Sequence, residues 1–226
     1  MGEFGMTLNF CGDSITFGLT HCTAEETFVA CLGRLFEGYA VTRYDGNRPS
    51  GYPRVAEYEK ITVSTDGEPL ELIRNGVGGE TVKRALERVD QLSGVMPNGR
   101  EPDYTFLMYG INDAASDNPE KYAPPAVFKE QYRRLLEELK QRNPHTTFVL
   151  MTPTYNALSV EEHAAFVRLL AEEMGVFLID LNRFWAENAA KNWLLPPDTC
   201  HPTPAAASAM ADYIFEEFKK IAQPKG

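Results

Sequence analysis

The chain has 226 residues, 43% of them apolar and 24% charged, the proportions of an ordinary globular protein long enough to bury a sizeable core. A net charge of −10 argues against nucleic acid as a partner and against anionic membranes, because both need a basic surface. No apolar run approaches the length of a transmembrane helix.

Met1 to Gly5 reads as a cloning remnant ahead of a natural start at Met6, with one domain over 6–226. The start lacks the basic residues and apolar core of a secretory signal, which reads as a cytoplasmic protein. A first strand is expected over Thr7 to Cys11, running into the turn Gly12-Asp13-Ser14. Thr23-Ala24-Glu25-Glu26 has the pattern of a capping box. It would open a helix with Phe28, Leu32 and Leu35 on its apolar face and Gly38 at its end.

Tyr39 to Tyr58 reads as a long irregular loop, rich in glycine and proline, with tyrosines at 39, 44, 52 and 58 and arginines at 43, 48 and 54. It is either a surface excursion packed on its own aromatics or one wall of a substrate cleft. Lys60 to Thr65 and Leu70 to Arg74 predict a hairpin around Asp66-Gly67. A helix with Val82, Leu86 and Val89 inward follows Gly78-Gly79. Tyr104 to Tyr109 is continuously apolar, as a strand covered on both faces should be. It ends in Gly110-Ile111-Asn112-Asp113, and a polar loop over Ala114 to Pro125 comes next.

The rest alternates. Ala126 to Arg142 is helical by the spacing of Phe128, Tyr132, Leu135 and Leu139. Thr146 to Thr152 is a strand, a helix capped at Ser159 closes at Gly175, and Val176 to Leu181 is the last strand. A short helix around Phe184 and Trp185 follows. Thr203-Pro204 starts the final helix, with Met210, Ile214, Phe218 and Ile221 inward. Strands alternating with helices predict an α/β fold, a three-layer α/β/α sandwich on a mostly parallel sheet, with an inserted loop and β-hairpin around residues 39–74. The cysteines, Cys11, Cys22, Cys31 and Cys200, have neither zinc-site nor disulfide spacing and read as free thiols.

Four stretches carry chemistry, and each falls past a strand end or beside a helix start, where such a sheet gathers its ligands. Ser14 is the candidate nucleophile, and a serine hydroxyl needs a base to take its proton. His201 is that base, with Asp198 three residues earlier able to accept its Nδ1–H. His21, His145 and His163 have no such carboxylate; the last two read as solvated. The backbone N–H groups of Ser14 and Gly79 and the amide of Asn112 could donate to a tetrahedral oxyanion, each for roughly 3 kcal/mol of barrier. Asp13 reads as structural, holding the turn. Singly, Gly79 could be only a tight turn and Asn112 or Asp113 only a helix cap. Together the residue types, in this order at four such positions, point to acyl transfer.

Gly12-Asp13-Ser14, Gly79 before Glu80-Thr81, Gly110-Ile111-Asn112-Asp113 and Asp198-Thr199-Cys200-His201 resemble the four sequence blocks of the SGNH (GDSL) hydrolase family. Ile15 stands where leucine is common, and the 39–74 segment exceeds the family's minimal form. The resemblance implies a serine esterase with no cofactor, triad roles for Ser14, Asp198 and His201, and oxyanion roles for Ser14, Gly79 and Asn112. The reading that follows is an esterase of short acyl groups, acetyl foremost, acting on a carbohydrate or similar polar alcohol. A lysophospholipase or acyl-thioesterase is the alternative, and would need a long apolar groove. A non-catalytic carbohydrate-binding protein ranks below both. The Gly-x-Ser-x-Gly elbow of an α/β-hydrolase is absent, because Thr16 stands at its last position.

Overall fold

The computed structural model describes residues 5–18, 23, 25–36, 40–45, 59–64, 70–94, 99–154, 160–188, 193 and 200–222. Among these, seven strands form one sheet: β1 (Thr7–Gly12), β2 (Ala40–Asp45), β3 (Glu59–Ser64), β4 (Leu70–Gly76), β5 (Tyr104–Met108), β6 (Thr147–Met151) and β7 (Phe177–Ile179). Their order is β2-β3-β4-β1-β5-β6-β7, with β1 at the centre. β4, β1, β5, β6 and β7 run parallel, while β2 and β3 add an antiparallel extension beyond β4.

The central strands are buried on both faces, because both faces are covered. Side chains alternate along a strand. Leu8 and Phe10 of β1, Phe106 of β5 and Val149 of β6 therefore enter one cluster, and Cys11, Leu107 and Leu150 the other. The first is closed by α2 (Phe28–Gly33), α7 (Leu181–Glu187) and α8 (Pro204–Ala222). Phe10 stacks on Phe106 at 4.4 Å between centroids and meets Phe28 edge-on at 5.9 Å. Burying each such ring stabilises by roughly 1.5–3 kcal/mol. The second cluster is closed by α3 (Val82–Glu87), α4 (Val89–Leu92), α5 (Pro125–Arg142) and α6 (Glu161–Met174). The result is a three-layer α/β/α sandwich, as the sequence predicts.

Several expectations need correction. The stretch read as irregular from Tyr39 contains β2, paired antiparallel with β3; Tyr39 and residues 46–58 lie outside the described residues. α2 begins later than the capping-box reading puts it. Thr27 is the N-cap and accepts from the Ala30 N–H at 3.2 Å, while Thr23 and Glu26 form a turn ahead of it, with the Thr23 N–H donating to Glu26 Oε2 at 2.9 Å and the Glu26 N–H to the Thr23 carbonyl at 3.0 Å. The helix expected over Val82 to Val89 is two short helices broken at Arg88. His163 is buried rather than solvated. Its Nε2–H donates to the Ala123 carbonyl at 3.0 Å, and its ring lies 4.9 Å from that of Phe128. The reading of Gly175 stands: it closes α6 in the left-handed region at φ 61°. Thr203 caps α8, accepting from the Ala206 N–H at 3.2 Å.

Candidate active site

Taking only the parallel strands in chain order, the sheet runs 2-1-3-4-5, so the chain's direction of winding reverses between β1 and β5. A crevice forms at the carboxyl ends of the strands at such a reversal. The register aligns Gly12 of β1 with Gly76 of β4 on one side and Met108 of β5 on the other. Ser14, Gly79 and Asn112 follow those three level positions by two to four residues. All three therefore leave the same edge of the sheet. Val77 N–H donates to the Gly12 carbonyl at 3.0 Å and holds the first two exits side by side.

Ser14 opens α1 (Ser14–Phe17) directly behind that edge. Asp13 is its N-cap, with Oδ1 accepting from the Ile15 N–H at 2.9 Å, as its structural reading requires. α1 lies so close to β4 that a Cβ on Gly76 would come within 2.4 Å of the Phe17 nitrogen, so only glycine fits there. His201 arrives from the far end of the chain, in the turn before α8, and its Nε2 lies 2.8 Å from Ser14 Oγ. With Nε2 unprotonated, the hydroxyl donates to it, the starting arrangement for proton removal. Asp198 lies outside the described residues.

A small open cleft adjoins this pair. Its walls are mostly apolar: Ile15, Phe28, Pro202 and Ala207, with Thr27 beside them.

The other two residues sit in polar surroundings. Gly79 has φ 71°, a conformation that favours glycine. The Asn112 amide donates from Nδ2 to the Glu80 carbonyl at 3.1 Å, and its Oδ1 accepts from Lys121 Nζ at 3.3 Å. Beneath them Glu80 is buried in a two-point ion pair with Arg88, both contacts 2.5 Å. Glu80 also accepts from the Tyr109 hydroxyl at 3.0 Å, and Arg88 donates to Asn75 Oδ1 at 2.8 Å. Burial pushes the Glu80 carboxyl up, and the bonds from Arg88 pull it back. Burial would lower Arg88, but its bonds to Glu80 outweigh that and hold the guanidinium charged.

Two more carboxyls lie in this floor. Burial pushes both Asp13 and Asp113 up to about 7, against the bonds they accept from backbone N–H groups. Asp113 Oδ1 accepts from the Val82 N–H at 3.1 Å, so it does cap a helix, but one distant in sequence. Burial likewise pushes the Cys11 thiol up to about 12, so it is no second nucleophile. Among the described residues no group of three or more His, Cys, Asp or Glu could hold a metal ion, and no helix is long and apolar enough to cross a membrane.

Sequence reasoning missed Glu80, Arg88, Tyr109 and Lys121. Arg88 carried a signal, since a charged residue between the apolar Ala85 and Val89 asks for a buried partner. Lys121, in a polar loop, carried none.

Residues 10–209 match the GDSL-like lipase/acylhydrolase family. An uncharacterized esterase of Bacillus subtilis, YxiM, is 28% identical over 165 residues, covering 66% of this chain and 42% of that protein. The chain thus spans less than half the length of that relative. A probable rhamnogalacturonan acetylesterase of the same organism, YesY, is 23% identical over 177 residues, 70% of this chain and 80% of that protein. In fold, the crystal structure of a lipase/acylhydrolase from Enterococcus faecalis superposes with a TM-score of 0.70 at 18% identity, covering 98% of this chain and all of that one.

Proposed function

Because this chain belongs to the GDSL-like lipase/acylhydrolase family, whose members are carboxylic ester hydrolases, we propose that it hydrolyses short-chain acyl esters through an acyl-enzyme on Ser14. The observation that carries the reading is the 2.8 Å contact between Ser14 Oγ and His201 Nε2 at the switch point of the sheet. His201 takes the hydroxyl proton as Oγ attacks the ester carbonyl, and returns it to the departing alcohol. The carbonyl oxygen becomes an anion, met by the N–H groups of Ser14 and Gly79 and the Asn112 amide. Water then repeats the sequence on the acyl-serine, releasing the acid and restoring the hydroxyl. Asp198 is the carboxylate assigned to the other ring nitrogen of His201, holding the tautomer.

A short acyl group is favoured because Phe28, Ile15 and Ala207 wall the small cleft beside the nucleophile. Acetyl foremost, on a carbohydrate or comparable polar alcohol, is the specific reading. It draws on the relative named as a probable rhamnogalacturonan acetylesterase. The tyrosines and arginines of the 39–58 stretch that first suggested a sugar lie largely outside the described residues.

The test is hydrolysis of nitrophenyl esters from acetate to palmitate by wild type and Ser14→Ala. Turnover should peak at two to four carbons and fall roughly a thousandfold or more in the variant, with the melting temperature retained. Equal rates for the two proteins would defeat the serine mechanism. A peak at long chains would favour the lysophospholipase or thioesterase reading instead.

A further inference from the structure

We propose that Lys121 is a positioning residue for the third oxyanion donor: its ammonium holds the Asn112 amide in the one orientation that presents an N–H to the reacting carbonyl. The inference rests on the ester-hydrolase reading and adds a residue to it.

A carboxamide has a donor end and an acceptor end of nearly equal shape, so it can sit either way round unless its neighbours choose. Here both ends have a partner. Nδ2 donates to the Glu80 carbonyl, which can only accept. Oδ1 accepts from Lys121 Nζ, which can only donate. Turning the amide over would set oxygen against oxygen and N–H against ammonium, losing both bonds at once. The Glu80 carbonyl takes only one of the two N–H groups on Nδ2, which leaves the other for a substrate oxygen. Without Lys121 a single bond would choose the orientation.

The fold brings Lys121 to this place deliberately. The segment after Asn112 turns back on itself through the bonds Asn118 N–H to Ala115 O, Lys121 N–H to Asn118 O and Ala123 N–H to Asp113 O, at 2.9, 3.0 and 2.9 Å. A lysine nine residues downstream therefore lies against the side chain of Asn112. The same ammonium is beside the second proposed donor, since a Cβ placed on Gly79 would approach Lys121 Nζ to 3.0 Å. One cation thus stands next to two of the three groups that would meet the developing negative oxygen. A surface lysine with no part in the chemistry would have no reason to meet both.

The test compares Lys121→Met, which keeps the stem and removes the donor, with Lys121→Arg, Asn112→Ala and the double variant Lys121→Met/Asn112→Ala. With nitrophenyl acetate, Lys121→Met should lower kcat about tenfold at nearly constant KM, and Lys121→Arg should recover most of it. In the Asn112→Ala background the same methionine should cost less than about twofold, because no amide is left to orient. Multiplying losses in the double variant, or a loss confined to KM, would overturn the proposal. Side-chain 15N relaxation of Asn112 needs no turnover. It should report a rigid amide in wild type and Lys121→Arg and a mobile one in Lys121→Met; an equally rigid amide in Lys121→Met would overturn it. Should wild type and Ser14→Ala prove equally slow, the esterase reading fails, and the relaxation data still decide the role of Lys121 in holding the amide.

Discussion

The two halves of the crevice are built to opposite standards. On the Ser14 and His201 side, a 2.8 Å contact among the described residues joins residues 187 positions apart, beside apolar walls. On the Gly79 and Asn112 side, the polar atoms are tied through Glu80, Arg88, Tyr109, Asn75 and Lys121, all within residues 75–121. The difference follows from the proposed work of each half. A nucleophile and a base trade a proton and must shift slightly in every cycle. Donors to an oxyanion help only if they are already in place when charge appears.

Removing a partner from each side shows whether the division holds. His201→Ala should have the largest effect, a loss of kcat of roughly a thousandfold or more, read in steady-state hydrolysis of nitrophenyl acetate with the melting curve unchanged. Arg88→Met strikes the other side and should act on stability. It leaves Glu80 buried without its counter-ion, which should cost about 3 kcal/mol in urea unfolding. Asn112→Ala should lower kcat about a hundredfold with little change in stability, since it removes one proposed donor and leaves the ion pair beneath intact. Phe28→Leu should raise kcat/KM for butyrate over acetate about tenfold by deepening the apolar wall, with the two esters measured in competition.

The smallest effect concerns His163, which donates to Ala123 at the end of the segment that carries Lys121. Burial lowers its pKa below the ordinary 6.5, so the folded state binds a proton less readily than the unfolded one. Stability from this group is present above about pH 6.5 and declines as the pH falls below it. Asp13 and Asp113, pushed up from 3.8 to about 7, act in the opposite sense: between those values the folded state keeps protons the unfolded chain has lost. A single melting profile mixes the two. The gap between wild type and His163→Gln isolates the histidine, and it should narrow from about pH 7.5 to about pH 5.5.

Two of the candidate-site stretches were legible because each combines a strand signal with a break. Gly12-Asp13-Ser14 follows a strand-like stretch with Leu8, Phe10 and Cys11, Gly110-Ile111-Asn112 follows a continuous apolar run, and parallel topology sends both to one edge. The supporting layer was not legible. Glu80 lies in the turn before α3, where nothing in the local pattern marks burial, and the position of Arg88 among apolar neighbours asks for a partner without naming it. His163 looked solvated beside Glu161 and Glu162, yet its spacing to Val160, Val167 and Leu170 places it on the buried face of α6. β2 was hidden by the glycines and prolines just after it, whose breaking signal spread backward over Ala40 to Asp45. For α2, the Thr23 capping-box pattern pointed too early, and Thr27 is the cap because it directly precedes the buried run from Phe28.

Cys11 lies in the middle strand, fully buried, with its thiol donating to the Leu92 carbonyl at 3.4 Å and pushed up to about 12. Alkylating reagents attack thiolates, so this sulfur stays silent while the sheet is closed. Its capture by iodoacetamide, resolved by peptide mass, therefore clocks how often the centre of the molecule comes apart. Cys200, only half covered, offers an earlier-reacting reference in the same tube.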